Sequence, residues 1–110
     1  MMMPFTRGLQ RILCATDLSA RSTAALRRAG SLARQTGARL TLLHVIDTRQ
    51  PERVARMQAN RAYVELLSQA DRAFGSAAGF IDVVVRRGNI LEIVATSARE
   101  WDADLIVLAA

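Results

Sequence analysis

The chain of 110 residues contains no lysine, one cysteine, two prolines and few aromatic side chains. Each scarcity excludes something. Cys14 alone cannot form an internal disulfide, so the sequence fits a reducing, cytoplasmic setting rather than a disulfide scaffold. No apolar stretch approaches the roughly 20 residues that a membrane-spanning helix needs. The start Met1-Met2-Met3-Pro4 lacks the basic-then-apolar plan of a signal peptide. All fifteen basic residues are arginine, and they give a net charge of +5. They are scattered, for example at Arg21, Arg34, Arg53 and Arg72. With aromatics at only 5%, there are few rings for bases to stack on, so composition argues for a solvated basic surface rather than a nucleic-acid site. The hydrophobic content of 51% is too high for a disordered chain, and the length suits one domain.

Four short apolar runs punctuate the sequence: Ile12–Ala15, Leu40–Ile46, Phe80–Val85 and Leu105–Leu108. They are mostly continuous rather than alternating, which predicts parallel strands covered on both faces. Helical periods lie between them. Over residues 20–35, Ala24, Leu26, Ala29, Leu32 and Ala33 share a stripe, with Ser19 as expected N-cap and Gly37 as stop. A second helix starts near Pro51 and is expected to carry Val54, Met57, Val64 and Leu67 inward. A third opens with Asn89 and Glu92 at capping-box spacing. The order β-α-β-α-β-α-β predicts an α/β fold with a doubly wound parallel sheet and right-handed crossovers.

In such a sheet, ligands sit outside the carboxyl ends of the strands. Thr16-Asp17 follow strand one there, and the Asp17 carboxylate can accept from a ribose hydroxyl or a base amine, or simply cap the next turn. His44 and Cys14 lie within strands without metal-ligating or catalytic partners in the pattern, so both are expected to pack. Asp104 is expected to be a structural turn residue. Strand three ends Val85-Arg86-Arg87-Gly88 rather than in an acceptor aspartate, which excludes a phospho-receiver domain. Asp17-Leu18-Ser19-Ala20-Arg21 contains no glycine, which excludes a dinucleotide fingerprint. No acid–base pair appears, so the chain is expected not to be an enzyme beyond slow, incidental nucleotide hydrolysis.

Four segments in register resemble the universal stress protein family. Ile12-Leu13-Cys14-Ala15-Thr16-Asp17-Leu18-Ser19 is similar to its first strand and T-D-x-S segment, and Gly37–Asp47 to its second strand with an L-H-V core. Gly88 with Ile90 and Ile93, then Ala103–Leu108, continue the match. The resemblance implies a flavodoxin-like, adenine-nucleotide-hydrolase-like sheet of order 3-2-1-4-5, a homodimer and, in one branch, ATP binding with Mg²⁺. Carried over, Asp17 meets the ribose and adenine side with Ala15 and Thr16 beside it. Val45 contacts the adenine, Leu108 lines the base pocket, and Ala109 stands where many members have glycine.

The ATP-binding branch continues from its fourth strand into a glycine-rich G-x-x-G run and a later G-S/T, whose N–H groups hold phosphates. The sequence stops at Ala110, before that loop, the last helix and the fifth strand. Residues 1–9 then read as a lead-in, and 10–110 as an incomplete family domain with strands in the order 3-2-1-4. The expected function is a stress-response regulator with the nucleoside half of an ATP site. The alternative is a non-nucleotide, dimerising interaction module that acts on a protein partner. With strand four at the sheet edge, the chain is expected to be marginal as a monomer and to self-associate through that strand.

Overall fold

The computed structural model describes residues 8–47 and 49–109. Its elements are β1 (Arg11–Thr16), a 3-10 turn (Ala20–Ser22), α1 (Thr23–Thr36), β2 (Arg39–Ile46), α2 (Glu52–Phe74), a 3-10 segment (Gly75–Phe80), β3 (Ile81–Arg87), α3 (Ile90–Glu100) and β4 (Leu105–Ala109). All pairings are parallel, and the sheet order is β3-β2-β1-β4. The expected α/β sheet and strand order are therefore observed.

The core follows from strand periodicity. Ile12, Cys14, Leu40 and Leu42 point to one face and pack with Leu26, Ala29 and Ala33 of α1 and with Leu66 and Ala70 of α2. Leu13, Leu43 and Val45 point to the other face, against Val94, Ile93 and Trp101 of α3 and its C-terminal end. Register aligns the layers: Cys14 lies between Leu42 and Val107. Two-sided cover holds for β1 and β2 only. On β4, Leu105 and Val107 pack inward while Ile106 and Leu108 are exposed, and among the described residues no strand lies beyond β4.

Two helix faces differ from expectation. On α1, Ala24 is exposed and Gly30 takes the buried place. A Cβ on Gly30 would meet the Phe74 ring within 1.9 Å, so glycine lets α1 and the end of α2 approach. On α2 the inward residues are Ala55, Ala62, Leu66, Gln69 and Ala70, whereas Met57, Val64 and Leu67 are exposed and Val54 is only half-buried. The buried side thus combines three alanines with Leu66 and Gln69 and is not the side richest in large apolar residues.

The ends are specified locally. Gly37 closes α1 at φ 75°, ψ 16° with its N–H on the Ala33 carbonyl. The Asn89 side chain accepts from the Glu92 N–H at 3.1 Å. Ser19 does not cap through its hydroxyl, because the 3-10 turn intervenes before α1. Asp104 Oδ2 accepts from the Gln10 and Arg11 N–H groups at 2.8 and 2.9 Å, which ties the entry of β1 to that of β4. Arg86 lies 4.6 Å from the Trp101 ring centroid and donates to Ser97 and Glu100, clamping β3 to α3.

Cys14 is fully buried, and burial pushes its thiol up to about 12. Only thiolate reacts with a disulfide reagent. Native protein at pH 8 is expected to resist dithionitrobenzoate, with one thiol per chain released in denaturant. Rapid labelling of native protein would contradict the buried placement.

Candidate functional site at the carboxyl ends of the strands

Beyond the C-terminal ends of β1, β2 and β4 lies a cavity of about 430 Å³. Ala15, Thr16, Asp17, Val45, Leu108 and Ala109, singled out from the sequence, all line it. Parallel register gathers them: Ala15 pairs with Leu108 and Leu43, and Thr16 with Ala109. The remaining wall was not foreseen. Ile90, Leu91, Val94 and Ala95 come from α3, Ile106 from β4, and Leu43 and His44 from β2. The legible signal was the i, i+4 spacing of 90/94 and 91/95, which puts those pairs on one helix face.

The β1–α1 turn sets the polar rim. Asp17 donates its N–H to the Ala109 carbonyl at 3.1 Å, while its Oδ1 accepts from the Ser19 N–H at 2.9 Å. Asp17 therefore caps its own turn, yet the carboxylate stays exposed at the cavity mouth. The Ser19 side chain, then the Ser19 N–H and the charge of Arg21, hold its carboxyl below the usual carboxylate range. Thr16 is buried: its hydroxyl donates to Ser22 Oγ at 3.1 Å and accepts from the Leu18 N–H at 3.0 Å. Leu18 takes φ 66°, the bend that turns the chain out of β1.

His44 Nδ1 lies 2.8 Å from the Thr16 carbonyl oxygen. A carbonyl only accepts, so Nδ1 carries the hydrogen and the ring pins β2 to the end of β1. The cavity thus offers apolar walls with one ionised acceptor at its mouth. That suits a flat apolar ring system bearing hydroxyl donors.

A second cleft, about 570 Å³, lies at the opposite end of the sheet by Arg11, Arg39, Asp82 and Trp101. Although larger, it is crossed by the Arg39–Asp82 ion pair at 2.9 Å and lies at the amino ends of the strands. The carboxyl-end cavity is the better candidate, because α/β sheets bind ligands on that side. Among the described residues, no three His, Cys, Asp or Glu side chains converge as a metal site, and no helix is long and apolar enough to cross a membrane.

Comparison with known proteins bears on the fold and the family. No curated protein matches the chain significantly. A solved universal stress protein in complex with cAMP is 28% identical, with TM-score 0.67, covering 89% of this chain and 70% of its own. Universal stress protein UspA from Lactobacillus plantarum is 22% identical with TM-score 0.76, over 91% of this chain and 76% of its own. A universal stress family protein from Burkholderia pseudomallei is 24% identical with TM-score 0.66, over 93% and 82%. The last two likenesses speak for the fold alone. The profile of the universal stress protein family matches residues 8–110, and the chain belongs to that family.

Proposed function

We propose that this protein is a stress-response regulator that binds an adenine nucleotide, ATP with Mg²⁺ among them, in the carboxyl-end cavity. The observation that carries the reading is the convergence of Ala15, Thr16, Asp17, Val45, Leu108 and Ala109 on one apolar cavity with a carboxylate at its mouth. In this reading Val45 and Leu108 flank the base, and the Asp17 carboxylate accepts from the ribose hydroxyls. The nucleotide complex of the 28% identical relative supports the ligand class.

The residues fit a nucleoside better than a triphosphate. Gly75 and Gly79 lie between α2 and β3, away from the cavity, and the Gly88 N–H is bound to the Ile46 carbonyl at 2.9 Å. Mg²⁺ accompanying ATP would be held by phosphates and water, as that ion commonly is. Adenosine, cAMP and ATP are therefore expected to bind with dissociation constants within about tenfold of one another, or ~1.4 kcal/mol.

Calorimetric titration of the 110-residue chain tests this. Asp17→Ala is expected to weaken each ligand by about tenfold, the scale of a hydrogen bond to a charged group. Because the Asp17 carboxyl is held low, its contribution persists through pH 5. It is lost only as pH falls below the usual 3.8 through the lowered value. Absence of heat and of any thermal shift at millimolar nucleotide would sink the reading. One observation would then favour a non-nucleotide interaction module: Leu91 and Leu108 at the rim are 77% and 66% exposed.

A further inference from the structure

The side of α2 turned away from the sheet carries bulky apolar residues. Met57, Val64 and Leu67 stand exposed there, with Val64 at 65%. Arg53, Asn60 and Asp71 are exposed on the same side. At 100° per residue these six positions fall within one sector, opposite the buried Ala55, Ala62 and Leu66. The sector runs from Arg53 to Asp71, about 27 Å at 1.5 Å per residue.

Its charges are unusual for a helix. Arg53 sits in the first turn and Asp71 in the last, each at the end of the helix whose dipole disfavours it. The other acidic residues of α2 are paired: Glu52 with Arg87 and Arg56, and Glu65 with Arg72. Among the described residues, Arg53 and Asp71 enter no ion pair.

We propose that this face is a self-complementary interface on which a second copy of the chain packs its own α2 antiparallel. The sequence is symmetric about Ala62. Arg53 and Asp71 lie nine positions either side of it, Met57 and Leu67 five, and Asn60 and Val64 two. A two-fold axis at Ala62 therefore sets Arg53 against the partner copy's Asp71, Met57 against its Leu67, and Asn60 against its Val64. Each pairing occurs twice, as an isologous contact requires. Antiparallel docking also moves each unfavourable charge beside the opposite, favourable end of the facing helix. One helix pair lies at the small end of specific interfaces, so the dimer dissociates on dilution. The face lies away from the carboxyl-end cavity, and the inference stands without the nucleotide reading.

Sedimentation equilibrium of the 110-residue chain over a wide concentration range is expected to show reversible dimerisation. Val64→Glu is expected to raise the dissociation constant by about tenfold or more. Arg53→Asp and Asp71→Arg are each expected to weaken the dimer, and the double variant Arg53→Asp/Asp71→Arg to restore it. The charge pair decides the matter even where Val64→Glu fails to fold. Two results would overturn the interface. One is a wild-type chain that stays monomeric throughout. The other is a dimer untouched by Val64→Glu and the charge reversals, whether held by the β4 edge or by another surface.

Discussion

Leu42→Ala is expected to lower the unfolding free energy by about 2–5 kcal/mol, the range for emptying a buried leucine site. Leu42 is fully buried at the centre of the sheet, between Cys14 of β1 and Val83 of β3. It points into the layer shared by α1 and α2. Neighbouring strands fix its backbone on both sides, so the site cannot collapse around the missing atoms. A domain of this size has roughly 5–15 kcal/mol in all. Urea denaturation is therefore expected to show a much lower midpoint with an unchanged slope. A loss under about 1 kcal/mol would contradict the packing described. Leu108→Ala, with its side chain exposed on β4, is expected to cost far less.

Gly88→Ala is the second large effect, and it couples stability to the candidate site. Gly88 takes φ 144°, and a Cβ there would stand 2.8 Å from Ile93 Cγ1. Backbone strain of this kind costs of order 1–3 kcal/mol. The collision adds to it, since Ile93 sits in the first turn of α3 and packs against the core cluster between that helix and the sheet. The turn also launches α3, whose Ile90, Leu91, Val94 and Ala95 wall the cavity. Gly88→Ala is thus expected to lower stability and to weaken nucleotide binding together, read by denaturation and calorimetry on the same sample. Wild-type stability in this variant would mean the turn does not hold the geometry described.

Much of the architecture was legible because strand burial writes itself into composition. Continuous runs such as Leu40–Ile46 mark a strand covered on both faces, and β2 is one. The same signal misled at β4, where Leu105–Leu108 reads as continuous but only Leu105 and Val107 pack inward. Helix α2 misled for a different reason. Its sheet-facing side is built from Ala55, Ala62, Ala70 and Gln69 around one large apolar residue, Leu66, while Met57, Val64 and Leu67 face out, so a pattern that follows hydrophobicity selects the wrong face.

The cavity was half legible. The positions that close each strand, Thr16-Asp17 and Leu108-Ala109, are found by counting along the runs. For α3, the 90/94 and 91/95 spacing marks a helix face, but that this face walls the cavity depends on how the helix lies across the sheet. The role of His44 depends on a contact with the Thr16 carbonyl, 28 residues earlier in the chain. Nothing in the residues around either position announces it.

The most direct test of the central claim is a ¹⁵N–¹H correlation spectrum of the 110-residue chain titrated with Mg·ATP. The account predicts shifts concentrated at Ala15, Thr16, Asp17, Val45, Leu91, Leu108 and Ala109, with Arg39, Asp82 and Asp102 at the opposite end unmoved. An unchanged spectrum at millimolar ATP, or shifts confined to the cleft between Arg39 and Trp101, would contradict it.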